Sequence, residues 1–520
     1  MSEAPPYPNG SPPRSGGTSL THIVARNTAY NLFTQGFLVV VAVWSLPLVI
    51  KGLSKDGFGL LSLVWAFIGY FSLLDFGISR ANTKFLSESV ATGNVDEIRN
   101  IVWTSLTASL LLGLVSGGAI VLAAPFLVHN VFDIGPAFRG DAERAFMIAG
   151  VGVPFMLLFG TLKGFQMALQ RFDVFNTFQG ITSLIQWGGS VALLQLGYGF
   201  GEIILLTVGV RIVLSLVAFG ILPRLIPNIF DSVHLWDRST FRKLLSFGGW
   251  VMASQVISPL FLYLDRFFLG MLLSLTAVAY YTVPHEALTR MLVVPASLVT
   301  TLFPAMSEQS VLPNEQNRIN LFYHRSLKYL AIMMLPLVLG FLLFAPEILS
   351  LWLGDDFAAH TVVIFRILAV GLFINSIAHI PLTALHAFGH PDITVKFNLI
   401  ELPIVVLLNL VLIPQIGVAG AAIAWTSRVT IDAALLLIAA KRQVERFPKR
   451  AESITSKGKP LVVSVITVAT VASVFLVSDT VTKIVVAVLF CGSYIAATWF
   501  QTFDDLDRNF FLQFRARMLS

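Results

Sequence analysis

The sequence predicts an all-α polytopic membrane protein with about 14 transmembrane helices, arranged as two six-helix bundles in parallel repeat plus two C-terminal helices. Two observations carry this prediction. The chain of 520 residues is 56% hydrophobic and only 12% charged, about half the charged share of a typical soluble protein. Apolar runs of roughly 20 residues, the length with which a helix spans a bilayer, recur along nearly the whole chain.

The apolar runs define the individual spans. Several neighbouring runs are joined by very short turns, such as GYGFG (197–201) and GHPD (389–392), which predicts that those neighbours are antiparallel. The fourteen predicted spans cover residues 27–50, 58–80, 101–128, 144–168, 176–196, 201–222, 244–272, 275–302, 326–350, 361–387, 394–415, 417–440, 460–479 and 482–500.

The distribution of Lys and Arg predicts the orientation. With the N-terminus inside, the inner loops and tails hold 23 of these cations and the outer loops hold five. Cytoplasmic loops of membrane proteins carry such an excess. We therefore expect a multi-pass protein of the cytoplasmic (inner) membrane with both termini cytoplasmic. The net charge of +6 is explained in this way, and no nucleic-acid partner is expected.

A weak internal repeat predicts the domain organisation. Similar segments at 161–178 and 383–398 occupy matching places, and six spans per half place both halves in the same direction across the membrane, as in some secondary transporters. The predicted parts are a disordered cytoplasmic tail (1–25), an N-terminal six-helix bundle (26–222), a C-terminal six-helix bundle (244–440), a basic cytoplasmic loop (441–459), two additional transmembrane helices (460–500) and a cytoplasmic tail (501–520).

Seven cations fall within the predicted spans or at their ends. Charged side chains in a membrane face a bundle interior or a wet cavity, because exposure to lipid is costly. Arg80 and Arg366 lie near span ends, where snorkelling to the interface is an alternative. The predicted cavity cations are Lys163, Arg211, Arg266, Arg290, Arg428 and Arg80.

Polar side chains recur at helical spacing on three spans. They are Asn176, Gln179, Ser183, Gln186 and Ser190 on the fifth span, Asn31 and Gln35 on the first, and Asn375 and His379 on the tenth. Spacings of three and four residues place such side chains on one helix face. For a single residue, a hydrogen bond between packed helices is the simpler interpretation. For the continuous stripe on the fifth span, we favour a water-lined surface.

Intramembrane acids are candidates for coupling transport to an ion. Asp75 is predicted to lie level with Asn31 and Gln35 in the inner half, where an alternative role is to bridge the first two spans. A second predicted cluster, in the outer half, contains Asp265, Arg266, His285, Glu286 and Arg290. Arg428 and Asp432 form a further i, i+4 pair, which mutual neutralisation in the core would also explain. The coupling candidates are Asp75, Asp265 and Glu286.

Several function classes lack their sequence signals. The chain has no P-loop motif for a nucleotide and no H-E-x-x-H or paired C-x-x-C motif for a metal. The predicted outer loops are short, the longest covering about 129–143, which disfavours a membrane enzyme with an outer catalytic loop. We therefore expect no cofactor, no metal and no enzymatic activity.

Three segments carry a family resemblance. GLLSLVWAFIGYFSLLDFGISRANTKFLSE (59–88) resembles the second span of polysaccharide flippases in the multidrug/oligosaccharidyl-lipid/polysaccharide exporter superfamily. LYLDRFFLG (262–270) is similar to their seventh span, and the region 351–398 is similar to their ninth to eleventh spans. The likeness covers roughly 26–440, and the order of the motifs together with the twelve-plus-two span count strengthens it.

The resemblance implies two six-helix bundles around a central cavity, alternating access, and a polyprenyl-pyrophosphate-linked oligosaccharide as cargo. The expected partners are this substrate and membrane lipids, with a proton or sodium as candidate coupling ion and a glycan polymerase or export machinery as candidate protein partner. Two alternatives stay open. A cation-coupled drug antiporter of the same superfamily would favour an acidic, aromatic cavity, and an integral-membrane glycan polymerase or ligase is a third class.

Overall fold

The structure is a computed structural model, and it describes residues 20–73, 77–169, 171–246, 249–299, 302, 306, 319–446, 479–503 and 508. Within these residues the regular structure is helical throughout, with no β-strand. An all-helical architecture suits a bilayer, because a helix satisfies its backbone hydrogen bonds internally. Residues 1–19 of the predicted tail (1–25), residues 447–459 of the predicted loop (441–459) and the predicted span 460–479, apart from Asp479, lie outside the described residues. Residues 20–25 and 441–444 are helical.

The described chain divides into two compact units, one ending at Thr282 and the other beginning at Val283. Ten helices begin in the first unit. They are α1 (Leu20–Leu73), α2 (Ile78–Thr92), α3 (Val95–Phe126), α4 (Pro136–Ala168), α5 (Phe172–Leu184), α6 (Ser190–Gln195), α7 (Phe200–Leu225), α8 (Arg238–Ser246), α9 (Gly249–Leu272) and α10 (Leu275–Thr289). Short π-helical turns follow α3 and α5, at Leu127–Val131 and Ile185–Gly189.

Six further helices belong to the described part of the second unit. They are α11 (Ile319–Leu343), α12 (Ala345–Leu353), α13 (Asp355–Ala387), α14 (Pro391–Ile416), α15 (Val418–Val444) and α16 (Thr480–Ala497). Helix α13 packs extensively against α15, and α14 packs against α15. The partition into six-helix bundles at 26–222 and 244–440 stays a prediction.

Eight helices in the described part of the chain are long and apolar enough to span a bilayer: Val95–Val131, Pro136–Ala168, Phe200–Leu225, Ile319–Leu343, Asp355–Ala387, Pro391–Ile416, Val418–Val444 and Val481–Phe500. The polytopic α-helical fold is thereby confirmed. The count of fourteen spans stays a prediction.

The first two predicted spans meet at a break in α1. Ser54, inside this element, has φ 67° and ψ 171°, which is not helical. The break lies in the turn predicted between the spans 27–50 and 58–80. Gly77 ends the gap after α1 in a left-handed conformation, with φ 79°, and α2 continues as a separate helix. The second predicted span therefore does not run unbroken to residue 80.

One predicted span was wrong in its continuity. The sequence predicted a single helix over 326–350, but α11 ends at Leu343 and Phe344 has φ −98° and ψ 17°. The physical reason is Pro346, which lacks an N–H to donate to the preceding turn and occupies the first turn of α12. Glu347 in α12 accepts a 2.6 Å hydrogen bond from Lys483 Nζ of α16.

Within the first unit, α1 packs closely against the hairpin of α9 and α10. A Cβ on Gly59 would lie 1.8 Å from the Leu275 carbonyl oxygen, and one on Gly69 would lie 2.2 Å from the Tyr263 hydroxyl. Only a residue without a side chain permits these approaches. Lys55 Nζ donates a 3.1 Å hydrogen bond to the Tyr280 hydroxyl at the same end of the contact.

Candidate functional site

The polar stripe on the fifth predicted span contacts two intramembrane cations. Lys163 Nζ, on α4, donates a 2.9 Å hydrogen bond to Gln179 Oε1 on α5. Arg211 Nη2, on α7, donates a 3.1 Å hydrogen bond to Gln186 Oε1 in the π-helical turn after α5. Helices α4, α5 and α7 and the π-helical turn therefore contribute to one polar site, which we call the amide–cation site and define by these four residues.

The π-helical turn Ile185–Gly189 positions Gln186. A π turn contains an extra residue and changes the direction in which the following side chains point. Trp187, in the same turn, is buried and packs edge to face against Trp65, with ring centroids 5.0 Å apart. Trp65 Nε1 in turn donates a 3.3 Å hydrogen bond to Thr207 Oγ1 of α7. These contacts fix the turn against both neighbouring helices.

The Arg211 guanidinium is held by its own helix as well as by the stripe. Its Nη1 donates a 2.9 Å hydrogen bond to the carbonyl oxygen of Thr207, one turn earlier. This leaves part of the planar donor fork available, since a guanidinium carries five N–H donors. The geometry suits recognition of an anion with several oxygens.

The Lys163 ammonium group is held between aromatic rings. It lies 5.1 Å from the ring centroid of Phe159 and 5.3 Å from that of Phe175, distances at which a cation is attracted to the ring face. Lys163 and Arg211 also repel each other electrostatically. Among the described residues, no carboxylate forms an ion pair with either cation.

The other stripe residues are less connected. Asn176 and Ser183 are half-buried. Ser190 is buried and donates its hydroxyl to the Gln186 carbonyl oxygen, which favours a structural role for this residue. The side chains of Asn31 and Gln35, and all of Asp75, lie outside the described residues. The candidate cation Arg80 is exposed near the start of α2.

The predicted outer cluster is divided between the two units. In the first, Asp265 is 5% exposed and accepts a 2.7 Å hydrogen bond from the Tyr281 hydroxyl. Arg266 is also 5% exposed and lies with its guanidinium carbon 5.6 Å from the ring centroid of Tyr263. A buried, hydrogen-bonded carboxylate on α9 is thus a feature of the structure, and its role in coupling stays a prediction.

The second unit contains the remaining members of that cluster. Glu286 and Arg290 form the predicted i, i+4 ion pair, with Nη2 3.4 Å from Oε2. His285 is buried and packs edge to face against Trp425 of α15, with ring centroids 5.3 Å apart. A common site for all five residues stays a prediction.

Helix α14 supplies a carboxylate that the candidate sites did not include. Glu401 is 1% exposed, and its Oε2 lies 3.7 Å from Arg428 Nη1 on α15. Asp432, one turn after Arg428, interacts electrostatically with both groups. The sequence had paired Arg428 with Asp432 within one helix. The sequence does contain a signal for Glu401, which is an acid just before Pro403 within an apolar run. An intramembrane acid needs a partner.

The polar residues of the tenth predicted span bond largely to their own helix. His379 Nδ1 donates a 2.9 Å hydrogen bond to the Asn375 carbonyl oxygen, and Thr383 Oγ1 donates a 2.6 Å hydrogen bond to the His379 carbonyl oxygen. These contacts satisfy polar groups without another helix. They support a structural interpretation for this stripe more than they support a cavity wall.

Comparison with known proteins gives two family matches. Residues 24–310, more than half of the chain, match the family described as "Polysaccharide biosynthesis protein". Residues 236–494 match the family described as "Lipid II flippase MurJ". A relative from Shigella flexneri, described as "Putative O-antigen transporter", is 26% identical over 422 residues, which are 79% of this chain and 96% of the relative.

Two solved structures show the same fold at low sequence identity. The lipid II flippase MurJ in an inward closed conformation matches with a TM-score of 0.68 and 15% identity, covering 90% of this chain and 97% of its own. An inward-facing multidrug resistance MATE family transporter of the MOP superfamily matches with a TM-score of 0.64 and 12% identity, covering 80% of this chain and 98% of its own.

Proposed function

Because the chain belongs to the family of polysaccharide biosynthesis proteins, we propose that it is a flippase for lipid-linked oligosaccharide. In this proposal it is a secondary transporter that moves a polyprenyl-pyrophosphate-linked oligosaccharide across the cytoplasmic membrane by alternating access, for surface polysaccharide biosynthesis. The membership agrees with the resemblance identified in the segments 59–88, 262–270 and 351–398.

The relatives support this cargo, while the fold alone does not decide it. One relative is described as an O-antigen transporter, and one structural neighbour is a lipid II flippase. A multidrug transporter shares the fold almost as well. The choice between an anionic glycolipid and a cationic drug therefore depends on the chemistry of the site.

The amide–cation site is the observation that carries the proposal. Lys163 and Arg211 are bound by the neutral amides of Gln179 and Gln186, so their positive charge is not cancelled by an acid among the described residues. A pyrophosphate carries several anionic oxygens, which pair well with a guanidinium and an ammonium. A pump for cationic drugs would instead need uncompensated acids at this place.

The amides have a second use in the same proposal. Sugar hydroxyls both donate and accept hydrogen bonds, and Gln and Asn side chains can do the same. When the pyrophosphate binds the cations, Gln179 and Gln186 become available to the first sugars. Such a site suits transport of the cargo and not a chemical change of it. We therefore propose that the protein is not an enzyme.

A double substitution tests the function. Lys163→Ala/Arg211→Ala is introduced into a cell that depends on this chain, and lipid-linked oligosaccharide is quantified on each face of the membrane. We expect the oligosaccharide to accumulate on the inner face while the amount of protein in the membrane is unchanged. Lys441→Ala/Arg442→Ala is the matched control, because these cations lie in the last turn of α15 and are exposed.

Three outcomes would count against the proposal. Normal export in the Lys163→Ala/Arg211→Ala variant removes the amide–cation site from substrate binding. Loss of drug efflux with normal surface polysaccharide favours the antiporter instead. Loss of export in both double variants points to total charge as the cause, and not to this site.

A further inference from the structure

The segment between α7 and α9 exposes both apolar side chains and cations. Phe230, Val233, Leu235 and Trp236 expose 45–57% of their surface, and Arg238 and Arg242 on α8 are exposed beside them. We call these six residues the linker surface. Aromatic and basic side chains of this kind are typical of the membrane interface, where the hydrocarbon meets the headgroups.

The backbone of the linker is fixed to the first unit by α3. Trp103 Nε1 donates a 3.0 Å hydrogen bond to the Ile229 carbonyl oxygen, and Arg99 Nε donates a 3.1 Å hydrogen bond to the Asn228 carbonyl oxygen. The Asp237 N–H donates a 3.1 Å hydrogen bond to Thr104 Oγ1. The linker surface is therefore built on an ordered support beside the end of a transmembrane helix.

The cations of helix α8 differ in whether they bind other residues of the protein. Thr240 and Leu244 are buried, and Lys243 is used internally, since its Nζ donates a 2.6 Å hydrogen bond to Glu97 Oε1. Arg238 and Arg242 lie four residues apart and thus on the same helix face. Neither has an ion pair or hydrogen bond with the residues that the structure describes.

These two cations line an open cavity of about 710 Å³, whose other walls are Asp237, Ser239, Lys243 and Ser246. The cavity includes one acid, but Asp237 Oδ2 already accepts hydrogen bonds from the Ser239 hydroxyl, the Thr240 hydroxyl and the Thr240 N–H. The unused guanidinium groups therefore set the character of the cavity. Two of them suit a phosphodiester, which offers several anionic acceptors.

We propose that the linker surface is a binding site for the headgroup of an anionic phospholipid in the adjacent leaflet. Arg238 and Arg242 bind the phosphate, and the side chains of Leu235 and Trp236 enter the interface beside the acyl chains. A free phosphate ion shares the headgroup chemistry but would gain nothing from the apolar half of the surface. The site is separate from the amide–cation site and does not depend on the cargo.

The test uses the full-length protein in nanodiscs and quenching of tryptophan by brominated lipid. The contribution of Trp236 is obtained by subtracting the signal of the Trp236→Phe variant. We expect brominated phosphatidylglycerol to quench Trp236 at a roughly thirty-fold lower mole fraction than brominated phosphatidylcholine, from the attraction of two cations to an anionic headgroup. The preference should weaken at high salt.

Substitutions connect the preference to the two cations. In Arg238→Gln/Arg242→Gln the two lipids should quench Trp236 at equal mole fractions. Arg442→Gln/Arg446→Gln is the matched control, because it removes the same charge from exposed positions at the end of α15, and it should keep the preference of the parent protein.

Three results would overturn the proposal. One is equal quenching by both lipids in the parent protein. Another is loss of the preference in the Arg442→Gln/Arg446→Gln control, which would assign it to net charge. The third is removal of the preference by 10 mM inorganic phosphate at constant ionic strength, which would identify a phosphate site. None of these results bears on export of oligosaccharide, so this proposal and the proposed function can fail separately.

Discussion

The ion pair between Glu401 of α14 and Arg428 of α15 predicts which substitution destabilises the second unit most. Glu401 is 1% exposed, the Arg428 side chain is 15% exposed, and their nearest charged atoms are 3.7 Å apart. Asp432 also interacts with both. One partly buried cation thus lies near two acids, which makes the three residues unequal in importance.

The magnitude follows from what each substitution leaves behind. At 3.7 Å and an effective dielectric constant near 20, two full unit charges attract by about 4.5 kcal/mol, which is the upper limit for this pair. Arg428→Gln leaves two acids without their cation, and removing one partner of a buried pair costs about 3–5 kcal/mol. Glu401→Gln leaves Arg428 with Asp432 and should cost clearly less.

The double variant measures the coupling directly. Glu401→Gln/Arg428→Gln removes the pair and leaves only Asp432, so its loss of stability should be smaller than the sum of the two single losses. Contacting charged residues show such coupling energies of about 0.5–3 kcal/mol.

Thermal unfolding of the purified protein, followed by tryptophan fluorescence, provides the assay, since Trp425 lies on α15 one turn before Arg428. We expect the lowest unfolding temperature for Arg428→Gln, then the double variant, then Glu401→Gln. Lys441→Gln, an exposed charge in the last turn of the same helix, should unfold like the parent. The reasoning is refuted if Arg428→Gln unfolds at the same temperature as Lys441→Gln, or if the two single losses add without coupling.

Three further predictions concern the first unit and the orientation. Hydrogen bonds from the Ser239 and Thr240 hydroxyls lower the pKa of Asp237 to about 2, so its contribution to the stability of α8 is present above pH 4 and lost as the pH falls toward 2. Asp237→Ala should destabilise α8 by about 1 kcal/mol and speed amide exchange in 238–246 about five-fold at pH 7. Unchanged exchange would contradict this prediction. Thr276 Oγ1 donates a hydrogen bond to Asp56 Oδ1 beside the Gly59 contact, so cysteines at these two positions should form a disulfide in a Cys491→Ser background. Gly59→Ala should lower its yield, whereas Gly220→Ala, at a position with open space around the Cβ, should not. Equal yields would exclude the steric explanation. Reporter fusions in the loop 129–143 should report outside and fusions in 226–237 inside, and the reverse result would invert the proposed topology.

Much of the fold was predictable because the bilayer imposes a simple rule on the sequence. Apolar length marks a helix, and Gly or Pro marks its end. The predicted ends at residues 168, 272 and 387 coincide with the ends of α4, α9 and α13. The break at Phe344 was not predicted, because the apolar run continues through it. Hydrophobicity alone does not show that a new helix starts at Pro346.

The site was predictable within helices but not between them. The i, i+4 pair of Glu286 and Arg290 follows from helical periodicity alone, and the structure contains it. Glu401 and Arg428 lie on different helices, and their contact depends on helix rotation, which one sequence does not specify. Spacing likewise identified the stripe containing Gln186 but not the π-helical turn that aims it at Arg211.

Lys163 and Arg211 of the first unit have partners of a different kind from Arg428 of the second. Arg428 lies 3.7 Å from the Glu401 carboxyl group, a potential counter-ion. Lys163 and Arg211 face amides and aromatic rings, which orient a cation without cancelling it. Holding two unneutralised cations near each other costs free energy, because desolvation and mutual repulsion both oppose it. An anion that binds between them would remove that cost, and it would gain most where both cations can reach it at once. In the proposed function, the cargo favours the state of the transport cycle in which Lys163 and Arg211 both contact the pyrophosphate, since a ligand shifts a conformational equilibrium only through such differential affinity.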